Sequence, residues 1–141
     1  MHPFIIDDLL NELHNYVKQE LQTAGKADIE VETFKYRDDH ACRILADREQ
    51  IRQAFVYLLD NAIKSTDSGF IYFGYYVLDD DLVDFFVDDT GSGNHNDTPP
   101  DLSPVRNLLG QMGSRLKEKN TDEGSSFSFS IKSAKVELIS G

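Results

Sequence analysis

Two groups of residues in this 141-residue chain have types and spacings that could do chemistry. Tyr57, Asn61 and Lys64 fall at i, i+4 and i+7, so on a helix they form a single stripe. Asn61 offers a neutral amide oxygen suited to a hard cation, and Lys64 offers a point charge suited to phosphate. Taken alone, a helical Asn and Lys are simply solvated surface residues. The second group is Asp89, Thr90, Gly91, Ser92 and Gly93. In the alternating run before it, Val83, Phe85 and Val87 share a face with Asp89, which holds a carboxylate at the inner end of a strand. The two glycines let the backbone turn tightly and approach a flat ligand with no Cβ in the way. In isolation this is only a Gly-rich turn.

The elements that must position these groups are legible in the surrounding pattern. Asp47 and Gln50 form an N-terminal cap with its three-residue return, followed at helical spacing by Ile51, Ala54, Phe55, Leu58, Leu59 and Ala62. That face is core, so the stripe carrying Asn61 lies on its flank. Residues 70–78 and 82–87 are aromatic and β-branched, and predict two antiparallel strands joined by Asp79, Asp80 and Asp81. Upstream, Ile6, Leu9, Leu10, Leu13, Val17 and Leu21 predict a one-stripe helix over 5–21, with Asp7 and Asp8 in its first turn and Gly25 past its end. Strands follow at 29–36 and 42–46. Downstream, 88–100 predicts an irregular loop. Ser103 as cap and Pro104 as first helical position open a helix running to Gly113. Strands at 114–118 and 125–131 flank a polar turn at 120–124, and no element is assigned after Ser133. The order implies an α+β fold: a two-layer sandwich with about three helices on one face of a mixed five- to six-stranded sheet, its other face solvated.

Composition narrows the function classes. A chain of this length forms one domain, burying roughly 70% of its unfolded surface. With 40% hydrophobic and 28% charged residues it is an ordinary globular composition. Fourteen basic against 25 acidic residues give a formal net charge of −11, a field that repels nucleic acid and anionic membranes. The same field repels a nucleotide, so a nucleotide site would need a masking cation and local donors. The single cysteine, Cys42, excludes an intramolecular disulfide framework and multi-cysteine zinc patterns, and reads as a buried strand residue in a reducing compartment. No stretch approaches the ~20 continuous apolar residues of a membrane span, and no signal-peptide order opens the chain. The Asp79, Asp80, Asp81, Asp84 and Asp88 series lacks EF-hand spacing and reads as a solvated turn and strand face.

Together the two groups resemble the signature of the histidine kinase and Hsp90-like ATPase superfamily, the Bergerat fold. Residues 58–64 are similar to its Asn-containing helix motif, 87–93 to its Asp-Thr-Gly-x-Gly box, and 124–129 to its Gly-Ser/Thr-x-Phe closing strand. The resemblance runs from about Phe4 to Ile131, in the family's order and spacing. It implies a domain over 1–133 with a C-terminal tail at 134–141. It further implies that Asp89 accepts from the adenine amino group, that Gly91 and Gly93 shape the base pocket, and that Ser125 supports Asp89. Asn61 would hold Mg²⁺ and Lys64 would lie near the phosphates of ATP. Ile63, Lys64 and Ser65 after Asn61 favour the sensor histidine kinase subclass. The implied partners are a histidine phosphotransfer or dimerisation domain and a response-regulator receiver domain, in the cytoplasm, with no nucleic acid and no direct membrane contact.

Three departures stand against this pattern. Where hydrolysing relatives carry a Glu, this chain has Tyr57, and a phenol of pKa near 10 is a poor base at neutral pH, so hydrolysis is not the expected function. Only eight residues, 94–101, separate Gly93 from Leu102, which leaves no room for the family's lid motifs. The helix there opens with Asp101, Leu102, Ser103 and Pro104; Pro104 has no N–H to give, and Asp101 puts a carboxylate at the positive helix end. Losing two or three charge-assisted hydrogen bonds of ~1.5 to 3 kcal/mol each weakens ATP by decades. A phosphoacceptor is also missing: His14 lacks the expected acidic and proline context, and His2, His40 and His95 carry none. Two readings follow, a Mg-ATP-binding catalytic domain that phosphorylates a histidine outside this chain, and a degenerate pseudokinase module that docks a partner. A third, an anti-sigma-factor serine kinase, has no positive feature.

Overall fold

Apolar spacing and burial coincide along the chain in the computed structural model, which describes residues 2–37, 39–90, 101–133 and 136–140. Helix α1 (Ile6–Thr23) buries Ile6, Leu9, Leu10, Leu13, Val17 and Leu21 on one stripe. Helix α2 (Arg48–Ser65) starts where Asp47 accepts from the Gln50 N–H at 3.1 Å, and it buries the predicted face together with Ile63. Helix α3 (Ser103–Gln111) is short and buries Val105 and Leu109.

Five strands build the larger sheet: β2 (Glu30–Phe34), β4 (Phe70–Asp79), β5 (Leu82–Asp89), β6 (Lys117–Thr121) and β7 (Gly124–Lys132). Their spatial order is β2-β4-β5-β7-β6, with β2 parallel to β4 and every other pair antiparallel. This is the mixed sheet of an α+β sandwich. Its inner face presents Ile71, Phe73, Tyr75, Val83, Phe85, Val87, Phe127, Phe129 and Ile131 to the helices. Phe55 of α2 sits on it, 6.0 Å from Phe73, 5.5 Å from Phe85 and 5.8 Å from Phe129, in edge-to-face geometry.

Several features differ from the sequence-based expectation. The residues after Ser133 contribute β8 (Val136–Ser140), which pairs with β3 (His40–Ala46); β1 (His2–Ile5) pairs with the other edge of β3. These strands form a second, three-stranded sheet. Their pairing partners are distant in sequence, so no local turn announces them. The strand expected at 114–118 starts at Lys117 instead, because Ser114 is spent closing α3: its N–H donates to Leu109 O at 2.8 Å and its hydroxyl to Ser130 O. The turn of that hairpin is correspondingly tight, with Thr121 paired to Gly124. The outer face is not uniformly solvated. Phe34, Tyr72, Tyr76 and Phe86 pack there with ring centroids 4.8 to 6.3 Å apart, over Gly74, whose missing side chain leaves room for the Phe34 backbone.

One buried carboxylate joins the layers. Asp7, in the first turn of α1, accepts from the Cys42 N–H of β3 at 2.9 Å and from the Tyr75 hydroxyl of β4 at 3.0 Å. Burial, then the Asp7 charge, pushes the Tyr75 hydroxyl far above the ordinary phenol range.

Candidate functional site

The chain brings Asn61 and Asp89 to the same end of the molecule, and the path is covalent. Helix α2 leaves its last turn at Ser65 and reaches β4 at Phe70 within a few residues. There Phe70 N–H donates to Thr90 Oγ1 at 2.9 Å, Thr90 N–H donates to Phe70 O at 3.1 Å, and Ile71 pairs with Asp89. The C-terminal end of α2 and the end of β5 are therefore locked side by side. Asn61 lies one turn before the helix end, half-buried, its carbonyl accepting from the Ser65 hydroxyl at 2.7 Å. Lys64 is exposed and Tyr57 half-buried, as the flank position requires. Lys26 fixes this helix end: its ammonium donates to Ile63 O at 2.8 Å and pairs with Asp67 at 3.4 Å, a cation placed where the helix dipole is negative.

Asp89 is buried at 6% exposure, on the inner face with Val83, Phe85 and Val87 as the alternation predicts. Across β7, Ser125 is its register partner, and the Ser125 hydroxyl donates to Asn120 at 2.9 Å. Two glycines make this corner possible. At Gly124 (φ +148°) a Cβ would overlap the Asp89 carbonyl, and at Gly69 (φ +107°) it would overlap the Thr90 side chain. Gly91 and Gly93, expected to shape a base pocket, and His95 lie outside the described residues.

Sequence reasoning missed Thr66. It follows α2 directly, it is fully buried, and its hydroxyl has no hydrogen-bond partner among the described residues. A buried unsatisfied hydroxyl costs about 1–3 kcal/mol. No local pattern predicts the burial, because it arises only when the α2–β4 connection packs against β5. Among the described residues, no cluster of three or more His, Cys, Asp or Glu could hold a metal.

Helix α3 packs beside α2. Asp101 Oδ1 accepts from the Ser103 N–H at 3.0 Å, and this contact holds its carboxyl below the usual range. Ser103 is not the cap; the capping position is Leu102, which supplies no side-chain bond, and Asp101 occupies the positive helix end. Tyr57 reaches across from α2 and donates its hydroxyl to the Asp101 carbonyl, tying the two helices together at this end.

The chain matches no protein-family model and no curated protein. Its structure, however, superposes on the catalytic domain of histidine kinase ThkA with a TM-score of 0.72 at 20% identity, covering 92% of this chain and 93% of that one. This chain has the histidine-kinase catalytic-domain fold. Full-length ShkA, solved in complex with AMPPNP, gives a TM-score of 0.77 at 24% identity over 94% of this chain and 31% of ShkA. ThkA in complex with the response regulator protein TrrA gives 0.74 at 22% identity, over 92% of this chain and 41% of that one. No helix among the described residues is long and apolar enough to cross a membrane.

Proposed function

We propose that the chain is the ATP-binding catalytic domain of a two-component sensor histidine kinase, taking Mg-ATP for phosphotransfer to a histidine carried outside this chain. The observation that supports this most is the single corner where the ends of α2 and β5 meet, with Asn61, the buried Asp89 and the orphaned Thr66 hydroxyl on the elements that form it. A buried carboxylate and a hydroxyl match the donor and acceptor edge of adenine, and the amide of Asn61 matches a hard divalent ion. The residues present therefore fit an adenine nucleotide. Mg-ATP would supply the transferable phosphoryl group; Asp89, with Ser125 behind it, Gly91 and Gly93 would set the base, and Asn61 and Lys64 would face the metal and phosphates. The parent histidine domain and a receiver domain are the corresponding partners, and the cytoplasm is the corresponding compartment.

A second reading has its own observation. Asp101 fills the positive end of α3, and Tyr57 clamps that end to α2, so a phosphate there meets a carboxylate rather than free N–H groups. On this reading the domain is a pseudokinase that docks partners and holds nucleotide weakly. Calorimetric titration with Mg-ADP and Mg-ATP separates the two. The first reading expects measurable heat, lost about 10- to 150-fold in affinity in Asp89→Asn, the value of one charge-assisted hydrogen bond. Absence of heat at millimolar nucleotide removes it. Tight ATP binding with phosphotransfer to a supplied histidine domain removes the second.

A further inference from the structure

At the end of the sheet far from Asp89, the connection from α3 to β6 runs beside the part of β7 beyond its pairing with β6, which ends at Lys117 and Ser128, and leaves a trough of about 530 Å³. Its walls carry Arg115, Lys117 and Lys132, above a half-buried apolar floor of Leu82 and Met112. None of these three cations makes an ion pair among the described residues, a state they share with Lys18, Lys35, Lys64 and Lys119. Three cations of a chain of net charge −11 thus line one trough.

The chemistry of the walls selects the kind of anion. A compact phosphate is held by fixed donors, and the hydroxyls that could serve are already used: Ser114 donates to Ser130 O, and Ser130 Oγ donates to Asp84 Oδ1 at 2.9 Å. What remains is three exposed charges on flexible stems, spread along an open channel with apolar surface beneath. That arrangement matches carboxylates distributed along an extended polypeptide with apolar residues between them. We propose that this trough docks an acidic segment of a partner polypeptide. Asp84, which accepts from the Ser130 hydroxyl, lies beside the trough. Attraction acts only within about a Debye length, ~10 Å at 0.1 M salt, because the whole-chain field is repulsive. The site is independent of the nucleotide corner and stands whether or not ATP binds.

The probe is a fluorescein-labelled, glutamate-rich peptide with interspersed leucines, followed by anisotropy with the full chain. Lys117→Glu/Lys132→Glu is compared with the charge-matched control Lys18→Glu/Lys35→Glu, both checked for native circular dichroism. The expected result is saturable binding that falls about tenfold or more in the trough variant, changes little in the control, and weakens on raising salt toward about 0.15 M. Amide shifts at Met112, Arg115 and Lys117 in an NMR titration should report the same site. Equal losses in both variants, or no binding by the wild-type chain, would overturn the proposal. So would inorganic phosphate shifting those amides where the peptide does not.

Discussion

Replacing Gly124 by Ala tests the corner on which the nucleotide reading stands. Gly124 opens β7 at φ +148°, and a Cβ there meets the Asp89 carbonyl oxygen and the Thr90 Cα, both backbone atoms already locked by the β4–β5 pairing. Two costs add. Holding a non-glycine residue in such a conformation costs about 1–3 kcal/mol, and forcing an added methyl into a packed site costs another ~1–3 kcal/mol. The expected loss is about 2–6 kcal/mol, a large share of a typical domain's ~5–15 kcal/mol. At ~2–4 °C per kcal/mol for a domain of this size, the melting temperature should fall by about 10 °C. Gly113 is the control: its φ is +71°, but a Cβ there meets nothing within 4 Å, so Gly113→Ala incurs only the ~1–2 kcal/mol left-handed penalty. Thermal and urea denaturation followed by circular dichroism on both variants decides the matter. Were Gly124→Ala to melt no lower than Gly113→Ala, the close approach of β7 to Asp89 would be wrong, and with it the geometry of the corner.

Two further outcomes follow from the layer contacts. Asp7→Ala leaves the Cys42 N–H and the buried Tyr75 hydroxyl without their acceptor, so urea denaturation should show a loss of about 2–4 kcal/mol, while Asp7→Asn, which keeps one oxygen, loses markedly less; equal losses would show that the oxygen is not the link. Burial, then the nearby Asp7 charge, pushes the Cys42 thiol up to about 12. The raised value means the folded state holds its proton more tightly, so this contribution is complete below the unfolded thiol pKa of ~8.5 and is lost as pH climbs toward 12. At about pH 8, Cys42 should therefore react with a disulfide reagent only at the rate of unfolding, and stoichiometric labelling of the native chain within seconds would contradict its burial.

The local pattern determined a good deal. The three helical stripes, the Asp47 cap, the β4 and β5 strands and the inward-facing Asp89 all follow from periodicity and capping chemistry, because each is a contest among neighbours in sequence. The placement of Asp101 at the head of α3 was legible for the same reason. Tertiary structure alone decided the rest. The second sheet joins strands at both ends of the chain through β3, and such pairing is set by which apolar faces remain uncovered after the helices pack, information no short window contains. Thr66 is buried, and Tyr57 reaches Asp101, only because α2, α3 and β5 converge at one end. The cationic trough is likewise assembled from residues up to fifty positions apart, since β5 and β7 pair Leu82 with Lys132 and the α3–β6 connection folds over them. Residue types and their spacing specify which chemistry is on offer; convergence in space specifies which of it can act together.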